Sequence, residues 1–517
     1  MRNSAPRIML AKCHSSSIVG VRGTAVDIEV DLARGLPSFN IVGLPGTTVR
    51  ESKERIRSSL NNSGYEFPLR RITVNLAPAE LRKEGTAFDL PIALGVLAAA
   101  GLLNPRRLEK IMVLGELALD GSIRAIHGAL AAAMEARRRG FEALLLPRKN
   151  ALEAQGAGIP VLSAPSLKEA AEVISADWSS QVEAQVAQVA QHSGVSIGDY
   201  SDVKGLPSVI KALEIAAAGR HNILLIGPPG SGKTMLARRL PSILPKLSEA
   251  EALEVTEIHS VAGLLPPGSS FLTNPPFRSP HSSITNSALF GGGQRIKPGE
   301  ITLAHRGVLF LDEFPELPRS AREGLRGPLC DQRLSLCRQG YKIELPADFQ
   351  LIAAANPCPC GYWGDSERVC RCPEGRRLHY QNRLSGPLAD RIDMHVTVKR
   401  LAPTTLLERS QSSSSKSIAR RVEKARQVQS ERLSKLSSPV NGRIPAPMME
   451  KVVELTSPQK KLLAEIAQYG GLGPRSMHNI QRVARTIADL EGKPKIEDDH
   501  LFSAATYRLS DADKEAA

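Results

Sequence analysis

Apolar and polar positions alternate through Val26–Val30 as in a half-buried strand, and SFNIVGLPG (38–46) reads as a second strand closing in a turn. VRESKERIRSSL (49–60) has helical spacing with one charged face. A short strand ITVNLAP (72–78), an apolar helix at Leu90–Ala100, a strand at Ile111–Leu114, a turn at Gly121 and an alanine-rich helix at Leu130–Arg139 follow. Strands and helices thus succeed one another, which predicts an α/β domain over residues 1–175. From 176 to 200 the chain becomes polar and repetitive (SSQVEAQVAQVAQHSG), as in a linker. A second α/β region, 201–400, contains three strongly apolar strands: Ile223–Ile226, the strand within GVLFLDEF (307–314), and the one within FQLIAAANP (349–357). A serine-rich break at 410–417, a charged helix from Ile418 to Leu436, a break near Pro445 and further helices make 401–517 a helical third part, with a frayed end.

Size and charge narrow the class. The 517 residues suffice for two to four domains with cores of their own, and 42% hydrophobic content is that of a soluble globular protein. A net charge of +14 favours a polyanionic partner such as nucleic acid, with solvated charged faces as the plainer alternative. MRNSAPRIMLAKCHSSS has no sustained apolar core, so no signal peptide is expected. The longest apolar run, DLPIALGVLAAAGLL (89–103), is too short for a bilayer and carries Pro91 and Gly95. A cytoplasmic, reducing location is the expectation, with no membrane contact. There, four clustered cysteines among seven point to a metal site before disulfides.

The chemistry centres on GPPGSGKT, from Gly227 through Pro228, Pro229, Gly230, Ser231 and Gly232 to Lys233 and Thr234. An apolar strand before it and MLARRL after it give the strand, glycine turn and helix of a phosphate-binding P-loop. The glycines let backbone N–H groups face phosphate oxygens, Lys233 would reach the β- and γ-phosphates, and Thr234 would hold Mg2+. A chance glycine loop is disfavoured because both flanks fit and the partner motifs follow in order. GLPG at 43–46 lacks the lysine and reads as a turn. About eighty residues on, Asp312 and Glu313 end an apolar strand as in a Walker B element. Asp312 would complete the Mg2+ shell, and Glu313 would orient the attacking water.

Cys358, Cys360, Cys370 and Cys372 form two C-x-C pairs nine residues apart. Four thiolates in one short loop suit structural zinc, with redox-active or simply reduced thiols as the alternative. Cys13, Cys330 and Cys337 are isolated and are expected to be packing residues.

Two stretches, KEGTAFDLPIALG and GELALDGSIRAIHGALAAA, resemble the proteolytic domain of the Lon family. The resemblance implies a Lon-like (ribosomal protein S5 domain 2-like) front domain. Its register puts Ala87 where Lon carries its nucleophilic serine and Leu130 where it carries the lysine base. A dyad needs a hydroxyl and an amine, so peptidase chemistry is not expected. The central region resembles AAA+ ATPases. That resemblance implies a polar sensor at Asn356, an arginine finger at Arg391 with Arg383 as runner-up, and a second sensor at Arg475 in the helical lid. It also sets the Val203–Gly205 turn against adenine. An arginine acting across an interface implies a ring, usually a hexamer.

FRSPHSSITNSALFGGG, KPGEITLAHRGVLFLDEFPEL and the NPCPCG run resemble the magnesium-chelatase-like branch of AAA+ proteins, and with the front domain and cysteines, the bacterial ComM (YifB) family. The family implies an ATP-driven DNA motor promoting branch migration during uptake of transforming DNA. One departure is Ser282 in SPHSS, where the family more often has histidine. Related helicases insert a hairpin into the pore. RLSLCRQGYKIEL reads as such a hairpin with Arg338 and Lys342 near its Gln339–Gly340 tip, and GGGQRIKPG adds Arg295 and Lys297. These four are candidate DNA-phosphate contacts, with solvated surface charge as the alternative. A chelatase motor subunit serving metal insertion into a porphyrin and an ATP-dependent protease are the rival functions.

Overall fold

The structure, a computed structural model, describes residues 9–176, 198–265, 271–293, 296–338, 341–365, 367–383, 388–407 and 412–509. Most of the expected linker, the hairpin tip at Gln339 and Gly340, Arg295, the side chain of Arg338 and the expected frayed end lie outside these residues. The chain forms two compact units. One takes the described residues of Met1–Ser193, Ser248–Thr273 and Gln294–Pro298, and the other those of Gly194–Leu247, Asn274–Gly293 and Gly299–Ala517.

In the first unit β1 (Leu10–Val19), β2 (Arg22–Ala33), β3 (Ser38–Val42), β4 (Arg71–Ala77), β5 (Ile111–Val113), β6 (Ala143–Pro147) and β7 (Val161–Ala164) form one sheet in the order β3-β4-β2-β1-β5-β6-β7. β1 and β2 run antiparallel, with Leu10 opposite Asp31 and Val19 opposite Arg22, whereas β5, β6 and β7 are parallel. Successive side chains of a strand point to opposite faces, and here both faces are covered. Ile111, Val113, Ala143 and Leu145 enter one apolar cluster with the fully buried helix Asp89–Ala99. Met112, Leu114, Leu144 and Leu146 enter another with helix Ala129–Arg139. Leu253, from helix Glu249–Ala262, packs on this second cluster, so a segment that follows the P-loop in sequence belongs to the first unit.

β1 has no counterpart among the strands predicted from alternation. It buries Cys13, Ser15, Ser16 and Ser17, and small polar side chains conceal a buried strand from a hydrophobicity pattern.

The second unit carries a five-stranded parallel sheet of β8 (Ile223–Ile226), β9 (Phe277–Arg278), β10 (Val308–Leu311), β13 (Gln350–Ala355) and β14 (Met394–Thr397), ordered β9-β10-β13-β8-β14. Every residue of β10 and β13 is buried, as a strand covered on both faces requires. β11 (Arg333–Arg338) and β12 (Tyr341–Pro346) form the antiparallel hairpin, pairing Cys337 with Lys342. Helices Pro207–Gly219, Ser415–Arg432 and Pro474–Leu490 share one core with the sheet. Within the serine-rich stretch, expected to be flexible, the described residues include the start of a capped helix. Ser414 caps helix Ser415–Arg432 by accepting from the Ser417 N–H, and buried Ser415 accepts from the Tyr200 N–H at 2.9 Å.

Buried Asp348 ties this unit together. Its carboxylate meets Arg220 at 3.2 Å, Arg306 at 3.1 Å and Arg443 at 3.0 Å. Burial opposes the charged form, but the three guanidiniums outweigh it and hold the carboxyl well below the usual carboxylate range. A depressed folded-state value contributes stability above the unfolded carboxyl value of about 4 and loses it as pH falls through and below that value. Asp348→Asn strands three cations around a neutral amide and is expected to cost about 3–5 kcal/mol. Urea denaturation at pH 7 and pH 3 tests this. An unchanged midpoint, or a variant as acid-sensitive as wild type, would count against it.

Candidate nucleotide site

β8, β10 and β13 run parallel, so their C-terminal ends share one edge of the sheet, where ligands of open α/β sheets bind. Gly227 leaves β8, Asp312 leaves β10 and Asn356 leaves β13 at this edge. Three motifs separated by up to 129 residues thereby meet. Gly227 packs so closely on the Val398 carbonyl that no Cβ fits. Gly230 and Gly232 take φ of +79° and +90°, and a Cβ on Gly230 would meet nothing within 4 Å. The turn is thus left-handed and open on that side.

The buried Ser231 hydroxyl finds no hydrogen-bond partner among the described residues, and an acceptor such as a phosphate oxygen would satisfy it. Lys233 Nζ donates to the carbonyls of Gly227 (2.7 Å) and Pro228 (2.9 Å) and to Asn356 Oδ1 (3.3 Å). Burial pushes this ammonium down to about 8, with Asp312 acting in the opposite direction. Thr234 Oγ1 donates to Asp312 Oδ2 at 2.7 Å. This oxygen pair suits a Mg2+ that keeps several waters. The residues therefore fit a nucleoside triphosphate with its magnesium.

Glu313 sits at φ +49°, a left-handed conformation rare for a residue with a side chain. Such backbone costs about 1–3 kcal/mol and concentrates at functional sites. Its carboxylate accepts from the Ser282 hydroxyl at 3.1 Å, so the residue that departs from the family's more frequent histidine contacts Glu313.

Arg391 and Arg475 lie by the other end of the sheet. Arg391 precedes β14, whose Met394 pairs with Ile223, and its carbonyl accepts from Asn222 just before β8. The P-loop begins beyond the far end of β8, about 13 Å away at 3.3 Å per residue. Arg475 opens helix Pro474–Leu490, and Asn479 of that helix donates to the Asp390 carbonyl. Both arginines donate to Cys330 Sγ, at 3.0 and 3.1 Å. Cys330 is exposed and no packing residue, contrary to expectation, and nothing in its sequence context marks it. Arg383 instead donates to the Pro315 carbonyl and lies 3.6 Å from Glu316.

The four clustered thiols have their sulfurs within 4.8 Å of one another, with Cys358, Cys360 and Cys370 at 3.3–3.6 Å. Ligands 2.3 Å from a tetrahedral zinc lie about 3.8 Å apart, so the set fits that ion. Burial opposes ionisation of Cys360, but the Tyr362 and Arg371 N–H groups bring its thiol down to about 6.

In the first unit half-buried Ala87 packs against the apolar cluster that contains Leu130, and neither side chain offers a hydroxyl or an amine. Among the DNA candidates, Lys297 is exposed, and Lys342 is exposed and 3.2 Å from Glu344. Among the described residues no helix is long and apolar enough to cross a membrane.

Family models described as magnesium chelatase subunit ChlI, subunit ChlI of Mg-chelatase, and the ChlI C-terminal region match residues 199–406, 28–150 and 412–508. The chain is 41% identical to a Salmonella typhimurium protein named YifB over 97% of each chain. It is 39% identical to competence protein ComM of Haemophilus influenzae, over 96% of this chain and 97% of the relative. A more distant likeness, 30% identity over 31% of this chain and 33% of the relative, is to Lon protease 2 of Bacillus subtilis. Matched along nearly its whole length by relatives at about 40% identity, the chain belongs to the ComM/YifB family of magnesium-chelatase-like proteins.

Proposed function

We propose that this protein is an AAA+ ATPase whose subunits assemble into a ring, most simply a hexamer, that moves along branched or single-stranded DNA. In this reading it promotes branch migration during homologous recombination in natural transformation, in the cytoplasm. One observation carries the ring: Lys233, Thr234, Asp312, Glu313 and Asn356 share one edge of the sheet, while Arg391 and Arg475 stand together at the opposite end. A subunit then holds two half-sites that it cannot join by itself. The arginines complete the site of a neighbour, where their charge meets that developing on the transferring phosphoryl group. ATP and Mg2+ supply the phosphoryl chemistry when bound. Lys233 and the P-loop amides hold the phosphates, Thr234 and Asp312 hold the metal, Glu313 orients a water, and Asn356 keeps Lys233 in line.

The DNA reading draws on the net charge of +14, the basic hairpin and the relative named a competence protein. The Lon-like first unit, with alanine and leucine at the dyad positions, serves as scaffold or binding surface. Zinc in the tetrathiolate is structural.

The deciding experiment incubates purified protein with Mg-ATP and a three- or four-stranded junction. ATP-dependent strand exchange and DNA-stimulated hydrolysis are expected, and a ring that binds no junction sinks the DNA reading. Lys342→Ala should weaken binding alike on unrelated sequences and lower the slope of log K against log salt by about 1. A sequence-selective loss, or no loss, would remove Lys342 from the interface. The family models' name favours a second reading, a chelatase motor subunit. Metalloporphyrin formation on reconstitution with chelatase partners would support it.

A further inference from the structure

Asn356 and Cys358 are separated by one residue, so the tetrathiolate begins where the nucleotide edge ends. From 357 to 373 the described residues contain no helix or strand, and only two of them are buried, Cys358 and Gly361. Such a segment has no core of its own, and four thiols on one ion are the means by which a short loop holds its shape. Gly361 touches the P-loop. At φ +86°, a Cβ on it would lie 2.6 Å from the Pro229 ring and 3.9 Å from the Asn356 side chain. Gly361, buried beside Cys358, is therefore pressed on GPPGSGKT.

A second tether runs from the same loop. Asp365, whose side chain is fully buried, accepts from Arg400 at 2.9 Å, and the Tyr362 ring stacks beneath Arg400 with 5.8 Å between guanidinium and ring centroid. Arg400 follows β14, and Val398, the residue after that strand, donates its N–H to the Ile226 carbonyl at 2.7 Å while its own carbonyl backs Gly227. The loop thus grips the P-loop at Pro229 directly and at Gly227 through the neighbouring strand.

We propose that metal in the Cys358–Cys360–Cys370–Cys372 site controls nucleotide binding in the same subunit, by clamping a loop that buttresses Pro229 and Asn356. This deepens the ATPase reading and rests on it. With metal, Gly361 is held against Pro229, and the carbonyls of Gly227 and Pro228 and the amide of Asn356 stay aimed at Lys233. Without it the loop loses its organising centre, and the turn must be ordered again when nucleotide binds. Coupling of this kind is reciprocal: whatever factor the metal adds to ATP affinity, ATP adds to metal affinity.

The test uses the full-length chain. Zinc content is measured with a colorimetric chelator after thiol modification, and a fluorescent ATP analogue is titrated into zinc-loaded, stripped and reloaded protein. One zinc per chain is expected, with affinity falling about 5- to 100-fold on stripping and recovering on reloading. Saturating ATP should slow zinc release to the chelator. Gly361→Ala should keep its zinc and still bind the analogue more weakly, which separates the contact from any unfolding of stripped protein. Affinity within twofold for stripped protein, a release rate indifferent to ATP, disulfides in place of metal, or Gly361→Ala binding as wild type would each overturn the proposal. A wild-type chain that binds no nucleotide would sink the ATPase reading as well.

Discussion

A Glu313→Gln variant is expected to bind ATP within a few-fold of wild type while hydrolysing it about 10²–10⁴-fold more slowly, the range a positioned general base contributes. The amide preserves the shape of the carboxylate and its contact with the Ser282 hydroxyl, so the strained turn at φ +49° has no reason to relax. It cannot accept a proton from water. The phosphate cradle, made by Gly227–Thr234, is untouched. Single-turnover hydrolysis together with equilibrium binding reads both quantities on one preparation. A variant that hydrolyses at the wild-type rate would remove Glu313 from the chemistry, and one that loses ATP binding would make it a structural residue. The variant should also trap the ATP-bound ring.

Arg391→Ala is expected to lower hydrolysis about 10³–10⁵-fold, the contribution of an arginine finger. The decisive form is a mixture. Rings of Arg391→Ala alone have intact P-loops and no finger, and rings of Lys233→Ala alone have fingers and no working P-loop. Mixed rings contain interfaces where the intact P-loop of one subunit faces the intact arginine of the next, so activity should reappear on mixing two inactive proteins. Arg475→Ala should be rescued by the same partner, because Arg475 and Arg391 stand together on Cys330. No recovery in either mixture would mean that the arginines act within their own subunit. That outcome is hard to reconcile with a position before β14, at the end of the sheet away from the P-loop.

The strand, turn and helix at 223–239 and the strand before Asp312 were legible in sequence because they rest on short contiguous runs. GPPGSGKT must be a strand, a tight turn and a helix, and Asp312–Glu313 must follow a buried strand. Both are local demands on backbone and burial. The apolar strands at Ile223–Ile226, Val308–Leu311 and Gln350–Ala355 were visible for the same reason, since strands covered on both faces need continuous hydrophobic runs. β1 was not legible. Its inward serines satisfy a packed interior by being small, which a hydrophobicity pattern does not register.

Residues that act through partners distant in sequence were harder to read. Ser282 stood out only as a departure from family habit, yet it reaches Glu313 across 31 positions. Cys330 had no motif at all, and its meeting with Arg391 and Arg475 spans 61 and 145 positions. The contact of Gly361 with Pro229 is likewise invisible in sequence, where that glycine reads as one more turn residue.

The amino-acid sequence by itself determined which groups this chain carries: a glycine-rich turn ending in Lys233 and Thr234, an acidic pair after an apolar strand, a four-thiol loop and an excess of positive charge. Each is a property of a few neighbouring residues. Only the tertiary structure decided how they are shared out, with cradle, acidic pair, Asn356 and cysteine loop on one edge of a parallel sheet and both arginines on the other. The reason is topological. Parallel strands bring the ends of distant segments to a common edge, and which end a side chain occupies depends on strand order and direction, which no single segment contains.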